Sequence, residues 1–173
     1  MTFSIRKIIQ EYKAPNHRLS CSSSLWKNGL TELKRRSGDY RESGAFLLGT
    51  VDHHRRRIAR FVFYDDLDPN CLDSGIVVFD GSGYGPLWEL CRKEGLSVVA
   101  DIHTHPGVAL QSGTDKENPM VATKGHIAII IPSFANRIIA PDELGIYEYL
   151  GAYQWNVYSG SKAKEFFYIG TWG

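Results

Sequence analysis

The chain has 173 residues, 43% of them hydrophobic and 23% charged, with a formal net charge of +1. That length suits a single domain over residues 1–173 with a buried core, its working part expected over about 20–160. Near-neutral charge gives no global reason to bind nucleic acid or a membrane surface, and no apolar stretch reaches the length of a bilayer span. Cys21, Cys71 and Cys91 lie far apart with no Cys-x-x-Cys pair, which argues against a disulfide framework and against a thiolate metal site. Residues 1–12 hold Arg6, Lys7 and Glu11 and lack the apolar core of a signal peptide, so a cytoplasmic protein is expected.

In chain order, residues 3–19 read as a short helix or strand broken at Pro15-Asn16. Ser22-Ser23-Ser24 offers N-cap hydroxyls before Leu25, Trp26, Leu30 and Leu33, which have helical spacing. A basic tail, Lys34-Arg35-Arg36, favours the helix C-terminus, and Gly38 closes it. Residues 42–49 and 58–64 read as two strands joined by the polar hairpin 52–55. A polar loop (65–73) follows, and then a short strand at 76–79. Leu87, Leu90 and Cys91 share one helix face ending at Gly95. Leu96, Val98, Val99 and Ile102 form a buried strand, with a short polar helix near 115–120 beyond it. Residues 126–132 read as a central strand buried on both faces; 145–150, 155–158 and 166–169 supply the rest. Strands and helices interleave, so the fold class is α/β or α+β, a mixed β-sheet packed between helices.

The densest chemistry is His103-Thr104-His105-Pro106 followed by Ser112-Gly113-Thr114-Asp115, thirteen consecutive positions. Residues i and i+2 of a strand share a face, so His103 and His105 aim both rings the same way from the strand's end. Pro106 cannot continue a ladder and ends the strand, and Asp115 returns from the next element. Two imidazoles and a carboxylate, with a fourth position open to water, are the ligand set of a catalytic zinc. Ser112-x-x-Asp115 is also a capping-box arrangement, and the two roles are compatible, because a helix start holds a ligand rigidly. Ser112 then has a hydroxyl to donate to a developing oxyanion. A hydrolase of this kind needs a base that is not itself a ligand. Glu42, at the rim of the apolar strand, is the best candidate, its alternative being a solvated glutamate.

Three other features have plainer readings. The His53-His54 and Arg55-Arg56-Arg57 run is read as a solvated hairpin tip. Gly81-Ser82-Gly83-Tyr84-Gly85 lacks the spacing of a phosphate loop. The C-terminal aromatics read as alternating core and surface.

Glu42, His103-Thr104-His105-Pro106 and Ser112-x-x-Asp115 together resemble the signature of the JAMM (MPN+, JAB) metalloproteases, with Glu-Ser-Gly-Ala-Phe-Leu-Leu-Gly around Glu42 similar as well. The likeness covers about residues 41–132 and is strongest to the prokaryotic branch. It implies a cytidine-deaminase-like fold, one zinc held by His103, His105 and Asp115, Glu42 as general acid/base and Ser112 as oxyanion donor. It further implies cleavage of amide or isopeptide bonds at the C-terminus of ubiquitin or a ubiquitin-like protein. Operon-encoded activating and conjugating enzymes are the implied partners, with antiphage defence as a setting. One departure is local: six residues separate His105 from Ser112 where the family pattern has seven. Two alternatives stand beside this reading, a non-catalytic MPN scaffold and a RadC-like DNA-associated protein. The first loses ligands that this chain keeps. The second is disfavoured by the lack of a basic surplus and of an N-terminal helix-hairpin-helix module.

Overall fold

Eight strands form one mixed, curled sheet in the computed structural model, which describes residues 15–171 and 173. Most of the expected 3–19 element therefore lies outside the described residues. The strands are β1 (Leu19–Ser22), β2 (Gly44–Asp52), β3 (Arg55–Phe63), β4 (Ser97–Thr104), β5 (Ile127–Ile131), β6 (Gly145–Gly151), β7 (Gln154–Tyr158) and β8 (Phe167–Gly170). Their order is β7-β6-β5-β4-β2-β3-β1-β8. β4 and β5 run parallel, as do β1 with β3 and β1 with β8; the remaining pairs are antiparallel. A mixed sheet between helices is what the alternation of patterns implied.

Helix α1 (Ser23–Ser37) begins and ends where its caps dictate. Ser22 Oγ accepts from the Leu25 N–H at 3.3 Å, and Gly38, at φ +59°, donates its N–H to the Lys34 carbonyl. Its apolar face, Trp26 and Leu33, packs on one side of the sheet with Leu47, Ile102 and Ile129. A one-turn helix, α2 (Tyr64–Leu67), follows β3, and α3 (Tyr84–Glu94) covers the other side, with Leu87 and Cys91 against Phe46, Leu48 and Tyr64. Two short helices, α4 (Gly113–Glu117) and α5 (Ser161–Phe166), complete the chain. All three cysteines are buried and unpaired, and no helix among the described residues is long and apolar enough to cross a membrane.

Two expectations are corrected. Residues 76–79 do not form a strand, because their backbone hydrogen bonds go elsewhere. The Val77 N–H meets Glu42 Oε2 at 3.0 Å, and the Val78 N–H meets the Cys71 carbonyl at 2.9 Å. The apolar run 76–79 instead turns Phe79 into an aromatic cluster with Phe46, Tyr64 and Tyr84, leaving Ile76 and Val78 exposed. The basic run 55–57 is not simply a solvated tip either. Arg56 is half-buried and donates to the carbonyls of Val99 (2.8 Å) and Gly125 (2.6 Å), and Arg57 Nε donates to that of Gly173 (3.1 Å). The guanidinium fork suits this work, since it satisfies several carbonyls from one side chain.

The chain is bulged at the joint of β2 and β3, between Leu48 and Gly49. A Cβ on Gly49 would stand 1.9 Å from the Arg57 carbonyl oxygen, a backbone atom that cannot swing aside. We expect Gly49→Ala to lower stability by about 3 kcal/mol, the upper end of overpacking costs. Urea unfolding checks this, and an unchanged midpoint would contradict it.

Candidate metal and catalytic site

The pairing of β2 with β4 assembles the site. Gly44 lies opposite His103 in the antiparallel register. One step further, the Thr104 N–H donates to the Ser43 carbonyl at 2.9 Å, and Thr104 Oγ1 accepts the Ser43 N–H at 3.0 Å. Glu42, the next residue out, comes beside His105. The His105 backbone is fixed from the other side, its N–H on the Ile131 carbonyl (2.9 Å) and its carbonyl accepting from Phe134 N–H (2.8 Å).

Asp115 arrives from the far side of a loop, 106–111, that Tyr147 pins down. The Tyr147 hydroxyl accepts the Gln111 N–H at 3.1 Å and donates to the Ala109 carbonyl at 2.9 Å. Ser112 then caps α4: its Oγ accepts the Asp115 N–H (3.1 Å), while Asp115 Oδ2 accepts the Ser112 N–H (2.7 Å). The capping box and the approach of Asp115 to the histidines thus coexist, and the six-residue loop brings the carboxylate home. Ser112 itself is exposed; its hydroxyl oxygen is used as an acceptor by the cap and its proton remains to be donated.

His103 Nε2 and His105 Nε2 are 3.0 Å apart, and Asp115 oxygens lie 3.5 and 3.3 Å from them. Both histidines are buried, at 7% and 9% exposure. Ligands at ordinary metal–nitrogen and metal–oxygen distances around a tetrahedral ion are separated by about 3.3 Å. The three donors fit that spacing, and two close imidazole nitrogens facing one carboxylate suit a cation at their centre. His103, His105 and Asp115 form the group among the described residues able to hold a metal ion. Glu42 stands just outside it: Oε1 is 3.7 Å from His105 Nε2, while Oε2 is held by the Val77 N–H. All five residues singled out from sequence are thereby placed, four of them in one cluster and Ser112 on its rim.

Sequence reading missed a second polar layer. Asp101 lies two residues before His103, on the same strand, and is 1% exposed. Its Oδ1 is 2.6 Å from His126 Nε2, and its Oδ2 accepts from the Tyr64 hydroxyl at 3.2 Å. The strand periodicity that paired His103 with His105 could have found Asp101, but neither partner carries a sequence signal. Beside the ligands lies a cavity of about 380 Å³ lined by Asp101, His103, Asp115, Gln111, Phe79 and Trp155 among others.

No protein-family model matches the chain. Over 64 residues it is 33% identical to "Probable metalloprotease y4jG" of Sinorhizobium fredii (strain NBRC 101917 / NGR234). The match covers 37% of this chain and about two fifths of that relative's length. The likeness is to a probable metalloprotease and it is partial. Among solved structures, the chain resembles the solution structure of protein DSY2949 from Desulfitobacterium hafniense, with a TM-score of 0.59 at 15% identity, over 87% of this chain and 92% of that one. That similarity concerns the fold alone. A protein from Salinibacter ruber aligns with a TM-score of 0.48 at 21% identity, over 75% of this chain and 84% of the other.

In the metal-free protein, the candidate ligands favour one another's charged forms. Burial disfavours charge on His103, but the Asp115 carboxylate outweighs it and raises the His103 pKa above the ordinary 6.5. Burial likewise opposes the Asp115 charge, yet the two histidines hold its pKa far below the ordinary 3.8. The His103 contribution to folding is therefore complete below 6.5 and is lost as pH rises through the raised value. The Asp115 contribution is present above 3.8 and is lost only as pH falls through its depressed value. Metal binding has the opposite slope near neutrality, because the histidines must be neutral to ligate. We expect the Tm of metal-free protein to fall from pH 6 to 8 and the stabilisation added by a divalent metal to grow over the same range. Parallel slopes with and without metal would contradict this.

Proposed function

We propose that the protein is a zinc-dependent peptidase or isopeptidase that cleaves amide bonds at the C-terminus of a ubiquitin-like protein. The observation that carries this is the convergence of His103, His105 and Asp115 donors on one point, with Glu42 aimed at them from outside the set. Support also comes from the partial likeness to a probable metalloprotease and from the match of these residues to the JAMM signature. On this reading the fold is the cytidine-deaminase-like one of JAB/MPN domains. The setting is cytoplasmic, and the partners are ubiquitin-like conjugates with the enzymes that make them.

Zinc bound by the three ligands supplies a Lewis acid for the scissile carbonyl and lowers the pKa of water to about 7. The chain's own residues do the rest. Glu42 has one oxygen anchored on the Val77 N–H, which leaves Oε1 free to take a proton from the attacking water. The same oxygen delivers that proton to the leaving amine. The Ser112 hydroxyl, with its oxygen tied to the Asp115 N–H, has its proton available for the carbonyl oxygen as negative charge develops there. Thr104 and Ser43 keep the β2 and β4 ends in register, so base and ligands hold their spacing through the reaction. An extended Gly-Gly tail suits a site this crowded, because it has no side chains to exclude.

Cleavage of a C-terminal amide fusion of a ubiquitin-like protein tests the assignment. Glu42→Gln should keep the metal and lower kcat by about 10²–10⁴-fold, the range for a lost general base. His103→Ala should lose both metal and activity. A wild-type chain that binds no zinc, or a Glu42→Gln variant as active as wild type, would overturn the reading.

A further inference from the structure

The proposed mechanism leaves one buried acidic group unused. Asp101 is 1% exposed and lies on β4 two positions before His103, so both side chains leave the same face of the sheet. At the ordinary rise of a strand their Cα atoms are about 6.6 Å apart. On the neighbouring strand β2, Phe46 stands opposite Asp101 and Gly44 opposite His103, so one register places both.

Two buried partners hold the Asp101 carboxylate. His126 Nε2 is 2.6 Å from Oδ1, and the Tyr64 hydroxyl donates to Oδ2 at 3.2 Å. His126 is 5% exposed and Tyr64 fully buried. Among the described residues no lysine or arginine pairs with Asp101. An ionised carboxylate shut away from water is costly unless an opposite charge answers it. His126 supplies one only as an imidazolium, and a cation there would be repelled by a divalent ion on the nearby ligands. With such an ion bound, a neutral His126 still donates Nε2–H and leaves the Asp101 charge to the ion. The low dielectric of the interior carries that attraction over several ångströms with little screening. The charge already reaches the candidate ligands: after burial and Asp115, Asp101 is the next group acting on His103, and it favours the charged ring.

We propose that Asp101 is a buried counter-charge that raises the affinity of His103, His105 and Asp115 for a divalent cation without touching it. His126 and Tyr64 hold the carboxylate in place for that purpose. The inference rests on the metal centre of the peptidase reading and is independent of substrate and cleavage.

Titration of the metal-stripped full chain with Zn2+ and Co2+ against a competing chelator tests this. Asp101→Asn removes the charge but keeps the side-chain shape and an acceptor for Tyr64. It should weaken zinc binding about 10–100-fold, the usual cost of losing a group that supports metal ligands. The visible spectrum of bound Co2+ should stay as in wild type, because the ligand set is intact. Tyr64→Phe removes a hydrogen bond and leaves the charge, so it should lower the Tm while zinc affinity stays close to wild type. Should Asp101→Asn fail to fold, Asp101→Leu combined with His126→Leu removes carboxylate and partner together, a replacement that buried pairs often tolerate. The same loss of affinity is expected there. Unchanged affinity in a folded variant without the carboxylate, an altered Co2+ spectrum, or affinity losses that simply follow Tm across the variants would overturn the proposal. Failure of the peptidase reading would look different: zinc would bind, Asp101→Asn would weaken it, and the fusion protein would not be cut.

Discussion

The antiparallel register between β2 and β4 is the constraint on which the site depends. It puts Gly44 opposite His103, then Ser43 opposite Thr104, and so delivers Glu42 to the side of His105. A slip of one residue would turn every side chain of β4 to the other face. His103 would then enter the α1 side of the core, and Ile102 would face the ligands. The slip is opposed twice. Ile102 and Leu47 are fully buried on the α1 side, and the Ser43–Thr104 hydrogen bonds form in one register only. At Gly44, a Cβ would meet the Ile102 carbonyl at 2.7 Å, so the strands approach here more closely than a side chain allows.

The two candidate ligand histidines are also braced from behind. Ser133, Phe134 and Ala135 are three consecutive non-glycine residues with φ between +50° and +56°. Such a backbone costs about 1–3 kcal/mol per residue and persists only where its surroundings determine it. Here the turn holds the start of the 106–111 loop: the Phe134 N–H donates to the His105 carbonyl and the Ser133 N–H to that of Gly107. Ser37, at the end of α1, donates its hydroxyl to the Lys34 carbonyl at 2.9 Å, and the same oxygen lies 3.4 Å from the Phe134 carbonyl. Beneath His103, the Asp101–His126–Tyr64 layer keeps a buried carboxylate paired, which the low dielectric of the interior demands. Local strain and buried polarity thus both concentrate around the same four side chains.

Much of this was legible in the chain itself. The β2–β3 hairpin, α1 with its serine and glycine caps, α3 ending at Gly95 and the buried β5 run all carry strong local signals, because period and capping chemistry act within a few residues. His103 and His105 were legible for the same reason, and Ser112 and Asp115 through their capping-box spacing. What stayed hidden depends on partners distant in sequence. Residues 76–79 have strand composition, but their amides serve Glu42 and Cys71. Arg56 reads as surface charge until Val99 and Gly125 come within reach. The parallel pairing of β1 with both β3 and β8 has no local signature, and neither does the convergence of Tyr64, His126 and Asp101. The mixed sheet between helices follows from the interleaved elements, whereas the finer fold and the ubiquitin-like substrate rest on the JAMM resemblance.

The most direct test is a crystal structure of the zinc-soaked protein with anomalous data collected on both sides of the zinc edge. We expect a single strong peak at about 2.0–2.2 Å from His103 Nε2, His105 Nε2 and an Asp115 oxygen, with Glu42 facing the ion but not bound to it. A peak held by other residues, or one with Glu42 as a direct ligand in place of Asp115, would contradict the assignment of base and ligands.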